Sequence, residues 1–185
     1  MSTPEQRKKM GAHIVNFEAR RDANGRIRVY QLPAADGGGA YEVAGINDKY
    51  HPEAAVRLRS LVEAGRQQQA EEEAADYIIK YTDRVADWAK SAAVECYLRD
   101  SAFNRGAGGA AKILQIAVGV HVDGGVGSIT KGAVAEAEKN PGALLDSLRA
   151  ARETYERDYI GYREIFWQGL TNRWNKAHVF AKTFL

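Results

Sequence analysis

Glu18 is the side chain whose type and position are best suited to chemistry, because it is an acid placed where a helix gives way to a hairpin. Met10, Ile14 and Phe17 recur at i, i+4 and i+7, which predicts one apolar helix face. Glu18 lies one turn beyond Ile14 and so borders that face. A carboxylic acid partly withdrawn from water keeps its proton to higher pH and can donate it to a leaving oxygen. Glu18 is therefore the candidate general acid, and an ordinary helix-surface charge is the alternative.

The segment that follows this acid predicts a β-hairpin. Residues 22–25 (Asp-Ala-Asn-Gly) are a turn-forming cluster, and residues 26–32 alternate between apolar and polar side chains as a strand does. Residues 36–39 (Asp-Gly-Gly-Gly) reverse the chain, and residues 40–46 return it. An acid is thus predicted to lie between a helix end and a small hairpin, an arrangement that resembles glycosidases of the lysozyme type.

The rest of the sequence indicates helices. They are predicted over residues 51–63, 66–81, 84–103 and 110–118, then after a Ser128 cap, after an Asn140 cap with Pro141 following, and in a final short helix holding Trp174 and Phe180. Glycines at 106–109 end the third, which is poor in charge and is predicted to be the central buried helix, with Trp88 shielded. A stripe at helical spacing is predicted to be core: Leu144, Leu148, Ala151, Tyr155, Tyr159, Tyr162 and Phe166. Residues 1–185 are predicted to form one α+β domain, predominantly α-helical.

Asp100 and Asn104 are the polar residues of interest on the predicted central helix. With Cys96 they fall at i, i+4 and i+8, so they form one stacked line. An unpaired buried charge is expensive, so Asp100 needs a partner, and Arg99 or Arg105 could supply a structural salt bridge. The alternative is functional, with Asp100 and Asn104 holding substrate or water.

Composition indicates an ordinary soluble globular protein. The chain has 185 residues, of which 45% are hydrophobic and 27% charged, and its net charge is +2. The first thirty residues carry seven Lys or Arg against three acids, which suits an anionic partner, although solvated helix faces are the commoner explanation of such a bias.

Several classes of site and segment are disfavoured. One cysteine, Cys96, excludes an internal disulfide and is predicted to be a small buried hydrophobe. The histidines lack metal-ligand spacing, so no metal and no cofactor are expected. No run of eighteen apolar residues and no signal peptide are present, which predicts a protein made in the cytoplasm without a membrane-spanning segment.

Motifs in matching order along the chain resemble glycoside hydrolase family 108, the N-acetylmuramidases found as phage endolysins and secretion-associated muramidases. Glu18 and the residues after it are similar to that family's Glu-Gly-Gly, and the hairpin is similar to its Asp-Pro-Gly-Gly…Gly-Ile-Thr. The further matches are Asp100 with Asn104-Arg-Gly and Leu114-Gln115, the loop Asp123-Gly-Gly-Val-Gly-Ser-Ile-Thr130, and Phe166-Trp-Gln-Gly-Leu-Thr-Asn-Arg173. The family's two glycines after the acid are Ala19 and Arg20 here, and its closing Trp is Leu170.

The resemblance implies a lysozyme-like fold and hydrolysis of the β-1,4 bond between N-acetylmuramic acid and N-acetylglucosamine, with Glu18 as general acid. It implies Asp36 as the second carboxylate, with Glu42 and Asp100 as alternatives. Tyr41, at the family's Thr position, is expected to bind substrate together with Asp100 and Asn104. The implied partner is bacterial peptidoglycan, reached in the periplasm after release, and we expect a monomer.

Two other classes remain open. A non-catalytic peptidoglycan-binding protein would need only the Asp123 loop and the basic ends. A nucleic-acid-binding helical protein is suggested by the basic N-terminus alone; the sequence has no nucleic-acid motif, so we expect no nucleic-acid partner.

Overall fold

The computed structural model describes residues 2–33 and 39–185. Its elements in chain order are α1 (Pro4–Glu18), β1 (Tyr30–Gln31), β2 (Tyr41–Val43), β3 (Ile46–Asn47), α2 (Pro52–Glu63), α3 (Gln67–Tyr81), a 3-10 turn (Asp83–Val85), α4 (Ala92–Val118), α5 (Ser128–Ala137), α6 (Pro141–Tyr155), a π-helical turn (Glu156–Gly161) and α7 (Glu164–Lys182). The predicted fold class, α+β and predominantly helical, is confirmed. No helix in the described ranges is long and apolar enough to cross a membrane.

The chain divides into two compact units. The N-terminal unit is Arg7–Lys80, and the C-terminal unit is Tyr81–Leu185 together with the first residues up to Gln6. The prediction of a single domain over residues 1–185 stays a prediction.

The N-terminal unit packs α1, α2 and α3 with a small sheet. On α1, the predicted apolar face is confirmed by burial of Met10 and Ile14. A Cβ at Gly11 would lie 2.7 Å from the Ala75 carbonyl oxygen, so this glycine permits the close approach of α1 and α3. The core is completed by Val15, Ile27, Val43, Ile46, Leu58, Leu61, Ala70, Ala74 and Ile78.

The sheet is three-stranded and antiparallel in the order β1-β2-β3, so the prediction of a simple two-armed hairpin was wrong. The returning arm is split because Ala44 and Gly45 both have positive φ (52° and 76°), which makes the two-residue turn that joins antiparallel strands. The predicted first arm shortens to β1 plus an isolated bridge between Arg21 and Ile27. The turn at residues 22–25 is confirmed: Asp22 Oδ1 accepts the backbone N–H of residues 24 and 26.

The C-terminal unit is built on α4. The predicted start near residue 84 was wrong, because Ser91 caps α4 by accepting the Val94 N–H at 3.5 Å, and a 3-10 turn precedes it. The predicted break is a kink inside one element, since Gly106 has φ +69° and ψ 168°. Trp88 is buried, as predicted, but lies before the helix.

Helices α5, α6 and α7 complete the C-terminal unit. Asn140 caps α6 as predicted, accepting the Ala143 N–H at 3.1 Å. The Ser128 cap was wrong, because Gly127 occupies that position. The final helix is long rather than short, and its Trp174 is fully buried.

The predicted stripe is core only in part. Leu144, Leu148, Ala151 and Tyr155 are buried, whereas Tyr159, Tyr162 and Phe166 are exposed. The helical register ends at the π-helical turn Glu156–Gly161, where Gly161 has φ +98° and the next residue is extended. The stripe residues within and after that turn therefore leave the buried face of α6.

Candidate functional site

Glu18 is the last residue of α1 and is half-buried. The following amide, of Ala19, donates to the Val15 carbonyl at 2.8 Å and closes the helix. The acid thus has a backbone position set by a complete helical turn. A side chain on a regular helix end is placed more firmly than one on a loop, which is what a proton donor requires.

The turn between β2 and β3 lies directly against this acid. A Cβ built on Gly45 would be 3.1 Å from both Cβ and Oε2 of Glu18 and 3.2 Å from its Cγ. Gly45 also has φ +76°, a conformation that L side chains rarely adopt. Glycine here serves two purposes, because it makes the turn and leaves room for the carboxyl group. The predicted juxtaposition of the acid with the hairpin is confirmed.

Tyr41 is 7% exposed and belongs to the sheet face that packs on α2. Its ring lies under the Arg59 guanidinium, whose carbon is 4.9 Å from the ring centroid. Val43 and Ile46 share this buried face. Tyr41 therefore has only a small exposed edge to offer a ligand, and its predicted role in substrate binding stays a prediction.

The other face of the sheet carries Tyr30, Glu42 and Asn47, which are all half-buried. Glu42 is the Cα partner of Tyr30 on one side and of Asn47 on the other. Directly opposed side chains lie about 4.5–5.5 Å apart at Cβ, so the three form a row across the strands. Sequence reasoning missed Tyr30 and Asn47, although alternation along the strands, given the strand register, would have found them.

Asp36, the predicted second carboxylate, lies outside the described residues. Asp48 binds the backbone that leads into β2: its Oδ1 accepts the N–H groups of Ala40 at 2.9 Å and Tyr41 at 3.3 Å. Gly39 has φ +108°, and any Cβ there would collide with the same oxygen. Asp48 was not singled out from the sequence, because nothing local distinguishes it from a surface acid.

Asp100 is buried in the C-terminal unit between two arginines. Arg152 Nη1 donates to its Oδ2 at 2.5 Å, and Arg173 Nη2 donates to its Oδ1 at 2.9 Å. Burial alone raises the pKa of Asp100, but the two guanidinium groups outweigh it and lower that pKa to about 2. The salt-bridge interpretation is confirmed, but the predicted partners were wrong. Arg99 pairs instead with Glu95 and Asp83, and Arg105 pairs with Glu156.

Asn104 lies on the same helix one turn later and is half-buried. Its Oδ1 accepts from Arg152 Nη2 at 3.4 Å, so it extends the ion pair of Asp100. Asp100 and Asn104 belong to the C-terminal unit, whereas Glu18 and Tyr41 belong to the N-terminal unit. The predicted substrate-binding role of Asp100 and Asn104 stays a prediction.

The Asp123 loop (residues 122–127) is held by hydrogen bonds to one buried side chain. Gln115 is 1% exposed, and its Nε2 donates to Asp123 Oδ1 at 2.7 Å and to the Gly125 carbonyl at 2.9 Å. Its Oε1 accepts the N–H groups of Asp123 and Gly124 at 3.1 and 2.8 Å. The hydrogen bond from Gln115 is the main reason that the pKa of Asp123 is lowered. The loop motif is therefore explained by its own architecture, which weakens the binding-only alternative.

Metal and thiol chemistry find no support in the part of the chain that the structure describes. No group of three or more His, Cys, Asp or Glu side chains there is arranged to hold a metal ion. Cys96 is buried, as predicted, and burial raises the pKa of its thiol.

The fold is similar to that of Brucella abortus SagA. The two chains align with a TM-score of 0.66 over 98% of this chain and 97% of that chain, at 22% sequence identity. Neither a protein-family model nor a curated protein matches the sequence. At this identity the likeness shows the fold alone.

Proposed function

We propose that this protein is a peptidoglycan hydrolase of the N-acetylmuramidase type, with Glu18 as general acid. The observation on which the proposal rests is the position of this acid. Glu18 is half-buried at the end of α1, with its carboxyl group against Gly45 of a positive-φ turn. A partly desolvated acid between a helix end and a small sheet is suited to protonating a glycosidic oxygen.

Contacts within the C-terminal unit support the resemblance to glycoside hydrolase family 108. Residues of motifs that are far apart in sequence touch one another: Asp100 pairs with Arg173 of the closing motif. Gln115 binds Asp123, and it also donates to Thr130 Oγ1 at 3.4 Å. Motifs that contact one another belong to one folded unit. The order that they share with the family is therefore harder to explain by chance.

The chemistry proposed is addition of water across the β-1,4 bond between N-acetylmuramic acid and N-acetylglucosamine. Glu18 gives its proton to the leaving oxygen as the C1–O bond breaks and positive charge develops on the sugar ring. Water bonds to C1 and loses a proton to a second carboxylate. Asp36 and Glu42 remain the candidates for this second carboxylate. Asp100 is the weakest, because its two oxygens are already held by arginines.

The test is clearing of permeabilised Gram-negative cells by wild type, Glu18→Gln and Glu53→Gln at equal folded concentration. Glu53 is an exposed acid in the first turn of α2, so its substitution makes the same charge change away from the proposed site. We expect Glu18→Gln to lose about 100- to 10,000-fold in rate and Glu53→Gln to match wild type. A Glu18→Gln rate above roughly a tenth of wild type would overturn the assignment. Pull-down on insoluble peptidoglycan without release of reducing sugar would favour the binding-only alternative.

A further inference from the structure

The row Tyr30–Glu42–Asn47 lies on the sheet whose β2–β3 turn adjoins the proposed acid. Gly45, which touches Glu18, is in the turn that joins the strand of Glu42 to the strand of Asn47. The row is on the face opposite Tyr41, which packs on α2. Two strand spacings, about 10 Å, separate its ends, which suits one sugar ring with its substituent.

Each member of the row has a defined hydrogen-bonding or stacking character. Asn47 Oδ1 accepts the Tyr50 N–H at 2.9 Å, so the amide is oriented with its NH₂ group, a donor, pointing away from that bond. Glu42 contributes carboxylate oxygens, which only accept when ionised. The guanidinium carbon of Arg20 lies 5.1 Å from the centroid of the Tyr30 ring, so this arginine covers one face of the ring.

We propose that this row recognises the acetamido group of an N-acetylhexosamine unit. The Asn47 NH₂ group donates to the acetamido carbonyl, Glu42 accepts the acetamido N–H, and the ring of Tyr30 carries the apolar face of the sugar. With Glu42 in this role, Asp36 is the candidate for the second carboxylate. A donor and an acceptor side by side match the two ends of an amide, whereas a hydroxyl in its place satisfies only one of them. The inference rests on the proposed function for its substrate class, and it deepens that function by naming what selects the sugar.

The experiment measures binding of two soluble probes by NMR titration. One is the trimer of β-1,4-linked N-acetylglucosamine, and the other is the trimer of β-1,4-linked glucose, which has a hydroxyl in place of each acetamido group. All titrations use the full chain with Glu18→Gln, so that binding is read without turnover. Asn47→Asp and Glu42→Gln are introduced separately into this background.

These substitutions isolate the recognition chemistry from folding. Asn47→Asp keeps the oxygen that accepts the Tyr50 N–H but removes the donor. Glu42→Gln keeps the shape but replaces one acceptor oxygen with a donor. Gln31→Ala is the matched control, because Gln31 is on the same sheet, pairs with Tyr41, and is exposed.

We expect the parent to bind the acetylated trimer at least tenfold more tightly than the glucose trimer. Asn47→Asp and Glu42→Gln should each weaken binding of the acetylated trimer by about tenfold, leave the glucose trimer unchanged, and so remove the preference. Gln31→Ala should keep it. A parent without preference, or variants that retain it, would overturn the proposal.

The outcome is separable from that of the proposed function. If cell clearing depends on Glu18 but the preference for the acetylated trimer does not depend on residues 42 and 47, the hydrolase assignment stands and the recognition role of the row is rejected. If the preference depends on residues 42 and 47 but wild type releases no reducing sugar, the recognition role of the row stands and the hydrolase assignment is rejected.

Discussion

The carboxylates of interest in the two units differ in their burial. In the C-terminal unit, Glu95, Asp100 and Glu156 are 1–2% exposed, and each is held by at least one arginine. In the N-terminal unit, Glu18 and Glu42 are half-buried, one against the backbone of a turn and the other in a row across a sheet.

The difference shows that the degree of burial distinguishes structural carboxylates from those that substrate can reach. A fully buried carboxylate must be paired with cations, and the pairing of Asp100 lowers its pKa to about 2, so it has no proton to donate near neutral pH. A half-buried acid packed against a glycine keeps an approach for substrate. We therefore assign the proposed catalysis to the N-terminal unit, whereas the ion pairs of Asp100 in the C-terminal unit join α4 to α6 and α7.

The largest effect is expected from removing the buried carboxylate. Asp100→Ala should lower the free energy of unfolding by about 3–5 kcal/mol, because buried Arg152 loses its carboxylate partner and half-buried Arg173 loses its ion pair with the same residue. Urea unfolding measures this, with Asp158→Ala, an exposed acid of the same unit, as the control. Unchanged stability together with lost cell clearing would break the comparison and give Asp100 a role in the site.

Next in size is the anchor of the Asp123 loop. Gln115→Leu should cost about 3 kcal/mol of unfolding free energy, because the Asp123 loop loses its hydrogen bonds to the buried Gln115 side chain. Chemical denaturation followed by circular dichroism checks this. If the variant is as stable as wild type but no longer sediments with peptidoglycan, the loop has a binding role rather than an architectural one.

A smaller effect should appear as a pH dependence. The pKa of Asp100 is about 2 in the folded chain, against 3.8 as its ordinary value. Because the folded value is the lower one, the ionised carboxylate stabilises the fold above about pH 4, and this is lost as pH falls through about 2. Between pH 5 and pH 2, wild type should lose about 2 kcal/mol more than Asp100→Asn. Equal losses would contradict the ion-pair assignment.

The smallest effect on stability concerns two glycines with similar backbone. Gly45→Ala and Gly25→Ala should each cost about 1–2 kcal/mol, because both have φ near +77°. Only at Gly45 does the added Cβ meet Glu18, since nothing lies within 4 Å of a Cβ at Gly25. Cell clearing at equal folded concentration should therefore fall only for Gly45→Ala. Equal activity of the two variants would show that the contact does not position the acid.

Local signals in the sequence determined the turn at residues 22–25 and several helix boundaries. Asp22 forms its turn through hydrogen bonds to residues two and four ahead, and Asn140 caps α6 through a residue three ahead. The helix Gln67–Tyr81 follows from its periodicity. Glu18 could be named from the helix face of Met10 and Ile14 together with the turn cluster after it. These features need only neighbouring residues, so one stretch of sequence contains all of the information.

Only the tertiary structure decided which distant groups meet. The partners of Asp100 come from positions 152 and 173, and adjacent arginines in sequence were misleading because they point to other acids. The contact of Gly45 with Glu18, and the row that joins Glu42 to Tyr30 and Asn47, depend on strand register and on how the sheet meets a helix end. Register and packing are settled by the burial of the opposite sheet face, a collective property that no local spacing records.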